Sequence, residues 1–162
     1  MSNLLEKKNV LRVKNLLKNL DNTLTLIVLD NTAKTVQDAA NSLNVEVGAI
    51  VKSILFKNLE NSKYFLCLVS GDKYVSLEKL SKINNIKIIK TDANECKKFT
   101  GFSIGGVSPV GSLNQPNNIF IDENLNNFKT IYAAAGHPFV VFGITFKKLQ
   151  NITKAEIYSI VD

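Results

Sequence analysis

Lys52 stands inside the run Val47-Gly48-Ala49-Ile50-Val51-Lys52-Ser53-Ile54-Leu55-Phe56, an ammonium among aliphatic and aromatic neighbours. An amine in such surroundings costs free energy unless an anion or a set of acceptors meets it. The residue therefore reads as an anchor for a phosphate or a developing oxyanion, or as a strand lysine whose head snorkels to solvent. A second candidate is Phe102-Ser103-Ile104-Gly105-Gly106-Val107-Ser108-Pro109-Val110-Gly111, which together with Gly101 holds four of the eight glycines. Glycines let main-chain N–H groups turn together into a nest for a carbonyl, carboxylate or phosphate oxygen, and they also serve tight turns between strands. No Gly-Lys-Ser/Thr follows and the spacing GxGxxG is absent, which excludes the two common nucleotide fingerprints. His137, in Ala133-Ala134-Ala135-Gly136-His137-Pro138, is the one histidine. Without a Ser or Cys nucleophile beside it, it makes no triad.

Other chemistries lack their residues. Cys67 and Cys96 are too few for a disulfide framework in 162 residues and form no CxxC pair, so both read as reduced thiols. One histidine and no cluster of Cys, Asp or Glu at ligand spacing leave a structural zinc site without donors, so neither a metal nor a cofactor is expected. The balance of 20 Lys+Arg against 14 Asp+Glu gives +6, spread evenly along the chain rather than in a basic tail. That charge suits a polyanionic partner, whose binding would weaken with salt. A Lys-rich, Arg-poor and Asn-rich sequence, with Arg12 its only arginine and 20 asparagines, also arises from nucleotide bias.

The elements that must position these residues follow from periodicity. Leu4, Val10, Val13, Leu16, Leu17 and Leu20 recur largely at three and four, with Lys7, Lys14 and Lys18 on another face, which predicts an amphipathic helix over 4–20. Residues 24–29 read as a strand ending in a turn at Asp30-Asn31, and 35–43 as a helix with Thr35 as N-cap and Asp38 in its first turn. Residues 50–57 and 64–70 form a predicted β-hairpin, in which Lys52, Ile54 and Phe56 share one face and Val51, Ser53 and Leu55 the other. A helix over 76–83 and a strand over 86–89 follow, then a helix opened by Asp92 and Glu95 and closed by Gly101. Strands are expected over 118–122, 131–134, 139–144 and 156–161, with a short helix over 145–149. With 45% hydrophobic and 21% charged residues, the whole of 1–162 reads as one compact α+β domain around a curved mixed, largely antiparallel sheet. No apolar run approaches the ~20 residues of a membrane span. Glu6, Lys7 and Lys8 stand where a signal peptide needs an apolar core, so a cytoplasmic location and no membrane partner are expected.

In their order, the lysine-bearing strand, the Gly105 to Pro109 loop of form GxxxP and the turn Ala134-Ala135-Gly136-His137-Pro138 resemble the YbaK and prolyl-tRNA synthetase editing-domain superfamily, over nearly the whole chain. The resemblance implies a freestanding trans-editing deacylase. Such an enzyme hydrolyses the ester that joins a wrong, small amino acid to the acceptor end of a tRNA, here tRNA-Pro or a related one. It further implies no metal and no protein nucleophile, and an aminoacyl-tRNA synthetase as a possible associate.

Carried over by the same resemblance, Lys52 would hold the terminal phosphate or ribose, and amides near Gly105 and Gly106 would stabilise the carbonyl oxygen. Ser53, Phe102, Val107, Ser108, Pro109, Gly136 and His137 would surround the amino-acid side chain. Phe102, Ile104 and Val107 around the loop suit a small aliphatic group better than a charged one, while Ser108 and His137 would admit a hydroxyl. A synthetase pocket rejects an amino acid smaller by one methylene through only ~1–3 kcal/mol, which is why a second, smaller pocket is needed. The rival expectation is a non-catalytic tRNA-end or nucleotide-binding module of the same fold.

Overall fold

The computed structural model describes residues 3–30, 33–85 and 87–162. The expected turn at Asn31 and the first residue of the 86–89 strand lie outside them. Helix α1 spans Lys8–Leu20 after a 3-10 turn at Leu4–Glu6, and it buries Val10, Val13 and Leu17 as the three-and-four spacing requires. Helix α2, Val36–Leu43, is opened by Thr35 and Asp38 in a reciprocal capping box, each side chain accepting from the other's backbone N–H at 3.1 Å.

Strands β2 (Val51–Asn58) and β3 (Tyr64–Ser70) form the expected hairpin, with Val51 opposite Ser70 and Lys57 opposite Tyr64. The alternation sends Val51, Leu55, Leu66 and Leu68 into a core shared with α1. Ile54, Phe56, Phe65, Cys67 and Val69 enter a second core closed by Leu80 of helix α3, Leu77–Asn84. Strand β4, Ile88–Lys90, pairs with β2 only from Phe56 onward. Helix α4, Ala93–Thr100, starts at Asp92 and stops at Gly101, whose φ of +83° is the left-handed conformation that ends a helix without steric cost in glycine.

Two sheets form rather than one. The larger runs β4-β2-β3-β5-β8, with β5 at Asn118–Asp122 and β8 at Glu156–Tyr158. The smaller consists of β1 (Leu26–Val28), β7 (Val140–Ile144) and β6 (Ile131–His137). The β2–β3 and β6–β7 hairpins and the pairings of β4 with β2 and β1 with β7 are antiparallel, but β5 lies parallel to both β3 and the edge strand β8. The last expected strand is therefore shorter than 156–161, and Val161 instead bridges Val75. Helix α5, Phe146–Thr153, makes the return to β8. Ile50 and Tyr132 join the two sheets through a parallel bridge.

Candidate active site

The place where the sheets part is open. Between Ile50, which bridges to β6, and Phe56, where the pairing with β4 begins, the outer edge of β2 has no neighbouring strand among the described residues. Leu55 O accepts there from both Thr91 N (3.0 Å) and Thr91 Oγ1 (2.9 Å). Since strand residues present their backbone groups alternately to the two sides, the N–H and C=O of Ser53 face the same edge. A cavity of about 360 Å³ occupies this gap. Its apolar walls include Ile50, Leu55, Val107, Ala134 and Val141, and Lys34 and Lys90 stand at the margin.

Lys52 lies on this cavity, half-buried. Its ammonium donates to the Lys73 carbonyl and sits 4.6 Å from the centre of the Tyr74 ring. Burial lowers its pKa, Asp72 pulls the other way, and Lys90 adds to the lowering. The strand lysine thus has acceptors, but none of them is an anion in direct contact. Ser53 projects from the next position, and its Oγ is buried without a hydrogen-bond partner among the described residues. A buried hydroxyl without a partner carries a desolvation cost that an incoming polar group removes.

The glycine-rich loop divides its roles residue by residue. Ser103 to Gly106 is a turn closed by Gly106 N donating to Ser103 O at 2.9 Å, with Gly105 at φ +89° in the position that needs a positive φ. The Gly106 amide is therefore committed within the loop. Its missing side chain serves close packing, since a Cβ there would lie 2.9 Å from His137 Cα. The Gly105 and Val107 amides donate to no described residue, and both residues line the cavity.

Other expected site residues point elsewhere. Phe102 is wholly buried in the core, with the Arg12 guanidinium over its ring. Ser108 is buried and its Oγ accepts from Val110 N, and Pro109 is buried beside it. Gly136, at φ +92°, faces helix α1 so closely that a Cβ would meet Asn9 O at 2.8 Å. His137 accepts at Nδ1 from Phe139 N at 3.0 Å. None of these five lines the cavity, so neither Ser108 nor His137 offers a hydroxyl-binding group to it. In that turn the cavity is met by Pro138.

Ile104, expected beside an aliphatic group, lines the cavity, and residues absent from the sequence-based set join it: Tyr74, Lys90, Thr91, Cys96 and Pro138. Tyr74 follows the turn Gly71-Asp72-Lys73 directly after a hairpin strand, a position with no chemical signature of its own. Cys96 is buried, and that burial pushes its thiol pKa up. Among the described residues no three His, Cys, Asp or Glu side chains gather as metal ligands would.

The profile of the aminoacyl-tRNA editing domain family matches residues 30–152. The chain belongs to this family. The match to this editing domain includes β2, the glycine-rich loop and the β6–β7 turn. Among curated relatives, the uncharacterized protein YwhH of Bacillus subtilis is 27% identical over 129 residues, covering 80% of this chain and 81% of that protein. The proline–tRNA ligase of Lactobacillus helveticus is 31% identical over 103 residues, 63% of this editing domain but only 18% of the ligase. Among solved structures, one described as a proposed trans-editing enzyme for prolyl-tRNA synthetase superposes with a TM-score of 0.90 at 30% identity, covering 96% of this chain and 98% of that one.

Proposed function

We propose that this editing domain is a cytoplasmic trans-acting deacylase that hydrolyses the ester between a small, mistaken amino acid and the acceptor end of a tRNA, with tRNA-Pro or a related tRNA as carrier. The observation that carries the reading is the opening at the edge of β2. There the Lys52 ammonium, the orphan Ser53 hydroxyl and two unengaged loop amides surround one mainly apolar cavity.

In this reading the amino-acid side chain enters the apolar part of the cavity, and Ser53 Oγ hydrogen-bonds the polar atoms of the aminoacyl group. Lys52 leaves the Lys73 carbonyl for the terminal phosphate or ribose, exchanging a neutral acceptor for a negatively charged partner. Water, positioned by the loop and a ribose hydroxyl of the substrate, adds to the ester carbonyl. The carbonyl oxygen takes up negative charge against the Gly105 and Val107 amides, where removal of one such donor can cost ~3–4 kcal/mol of activation free energy. Collapse of the adduct breaks the bond to the ribose oxygen, which takes the proton that the water gives up. Free amino acid and deacylated tRNA leave.

The test is hydrolysis of alanyl-, seryl-, threonyl- and cysteinyl-tRNA-Pro by the purified protein. Acceleration of at least one over spontaneous hydrolysis is expected, and none for any of them would overturn the reading. The engaged Gly106 amide favours a second reading, a binder of the tRNA end that does not hydrolyse it. Tight binding in the same panel without turnover would select that one.

A further inference from the structure

Tyr74 is 76% exposed, more than any other large hydrophobic side chain among the described residues, yet its backbone is fixed on both sides. Lys73 N donates to Ser70 O at 3.0 Å and closes the turn before it. Asp162 N donates to Tyr74 O at 3.2 Å, and Val75 bridges Val161. One face of the ring carries the Lys52 ammonium at 4.6 Å, and the ring borders the cavity. A single exposed tyrosine is ordinary on a protein surface. A tyrosine on an anchored backbone at the mouth of a cavity, with a cation on one face and its bulk open to solvent, has the properties of a stacking platform. Bases stack on such rings with little dependence on their identity, and a neighbouring cation adds attraction for the phosphate that follows the base.

We infer that Tyr74 is the platform for the terminal nucleobase of the tRNA, which stacks on the ring face turned away from Lys52. The inference rests on the deacylase reading above and assigns to one side chain the recognition of the substrate's nucleoside. The ring then does two things at once. It holds the base at the cavity mouth, and it keeps the ammonium beside the place where the adjoining ribose and phosphate arrive. The ester is thereby delivered to the open edge of β2.

The test uses an acceptor-stem RNA hairpin carrying 2-aminopurine as its terminal base, whose fluorescence is quenched on stacking, alongside deacylation kinetics on the substrate found active in the panel. Wild type and Tyr74→Phe, which keeps the ring, should quench the probe. Tyr74→Ala should lose the quench and raise KM by about tenfold or more, within the range that base–aromatic stacking contributes. Hydrolysis by wild type with an equal quench in Tyr74→Ala, or a fall in kcat alone with the quench retained, would overturn the platform and leave the deacylase reading intact. A Tyr74-dependent quench without any hydrolysis would support the platform and remove the deacylase reading. Neither quench nor hydrolysis in wild type would remove both.

Discussion

Arg12 Nε donates to the Gly111 carbonyl at 2.7 Å, tying the second turn of α1 to the far end of the glycine-rich loop. The same guanidinium reaches Thr100 O at 3.3 Å and Asn9 Oδ1 at 2.9 Å, while Asn9 Nδ2 donates to Gly101 O at 2.9 Å. Its carbon lies 4.7 Å from the Phe102 ring centre. The only arginine of the chain is thus a brace at both ends of the loop rather than a surface charge.

Arg12→Lys should separate charge from geometry. A lysine keeps the charge but cannot serve several acceptors in one plane. With carbonyls left unsatisfied, the fold should lose about 1–2 kcal/mol, or about 2–8 °C in melting temperature for a domain of this size. Loop amides displaced by about 1 Å can lower turnover by ~100-fold, so kcat should fall more than KM rises. A melting temperature and kcat both equal to wild type would show that the brace carries no such role.

Lys52→Ala should reduce single-turnover deacylation by about 100-fold or more, since misplacement of a substrate by 1 Å has that effect. The fold should be unharmed. Burial lowers the Lys52 pKa, so the folded chain holds this proton less firmly than the unfolded chain does. Its charge therefore opposes folding at neutral pH, and the penalty is relieved only as pH rises towards the ordinary lysine value. Removing the ammonium should leave the melting temperature at pH 7 equal or slightly higher. Lys52→Arg should not restore activity, because a planar guanidinium does not replace a compact ammonium. Wild-type turnover in folded Lys52→Ala would remove the assignment.

Cys96 lies in the cavity wall and Cys67 in the core between the larger sheet and α3, and burial pushes both thiols towards the protonated form. A protonated thiol is a poor nucleophile. The double substitution Cys67→Ala with Cys96→Ala should keep turnover within a few-fold of wild type while lowering the melting temperature, as emptied core volume does. Rapid acid quench should trap no thioester. Loss of all turnover in the folded double variant would require a covalent mechanism instead.

His137 gives stability a pH dependence of defined sign. Burial, with Lys7 adding, lowers its pKa, and the ring accepts the Phe139 N–H through an unprotonated Nδ1. Above the ordinary value of 6.5 both folded and unfolded chains carry a neutral ring. As pH falls through that value the unfolded chain is protonated first, so stability declines until the folded ring protonates as well. Melting between pH 8 and 5 should therefore fall more steeply for wild type than for His137→Asn, whose side-chain oxygen accepts without titrating. Parallel slopes would assign the effect to other groups.

Local signals in the sequence carried most of the elements. The alternation through Val51 to Phe56, the Thr35 and Asp38 capping box and the Gly101 stop depend on neighbours a few residues apart, and each is present. The parallel placing of β5 beside β3 is not local, since it pairs residues about fifty apart in sequence along the edge of β3 that β2 leaves free. The site divides in the same way. Lys52, Ser53, Gly105 and Val107 stand on the cavity. Gly106, Phe102, Ser108, Pro109, Gly136 and His137 lie in the same motifs, and their work is to turn, pack and support them. A motif read along the chain does not distinguish a residue that faces the cavity from one that holds its neighbour in place. Tyr74, Lys90 and Pro138 come from segments that meet only in three dimensions.

The loop is braced from residues 9 and 12, and Tyr74 is anchored by residues 161 and 162. During synthesis, when the amino-terminal part emerges first, the helix appears before the loop it grips, and the tyrosine before residues 161 and 162 that anchor it. Pairings so distant along the chain also slow folding relative to helical domains of the same size. Competence should thus arrive in a late step, once residues 161 and 162 have emerged to meet Tyr74 and Val75.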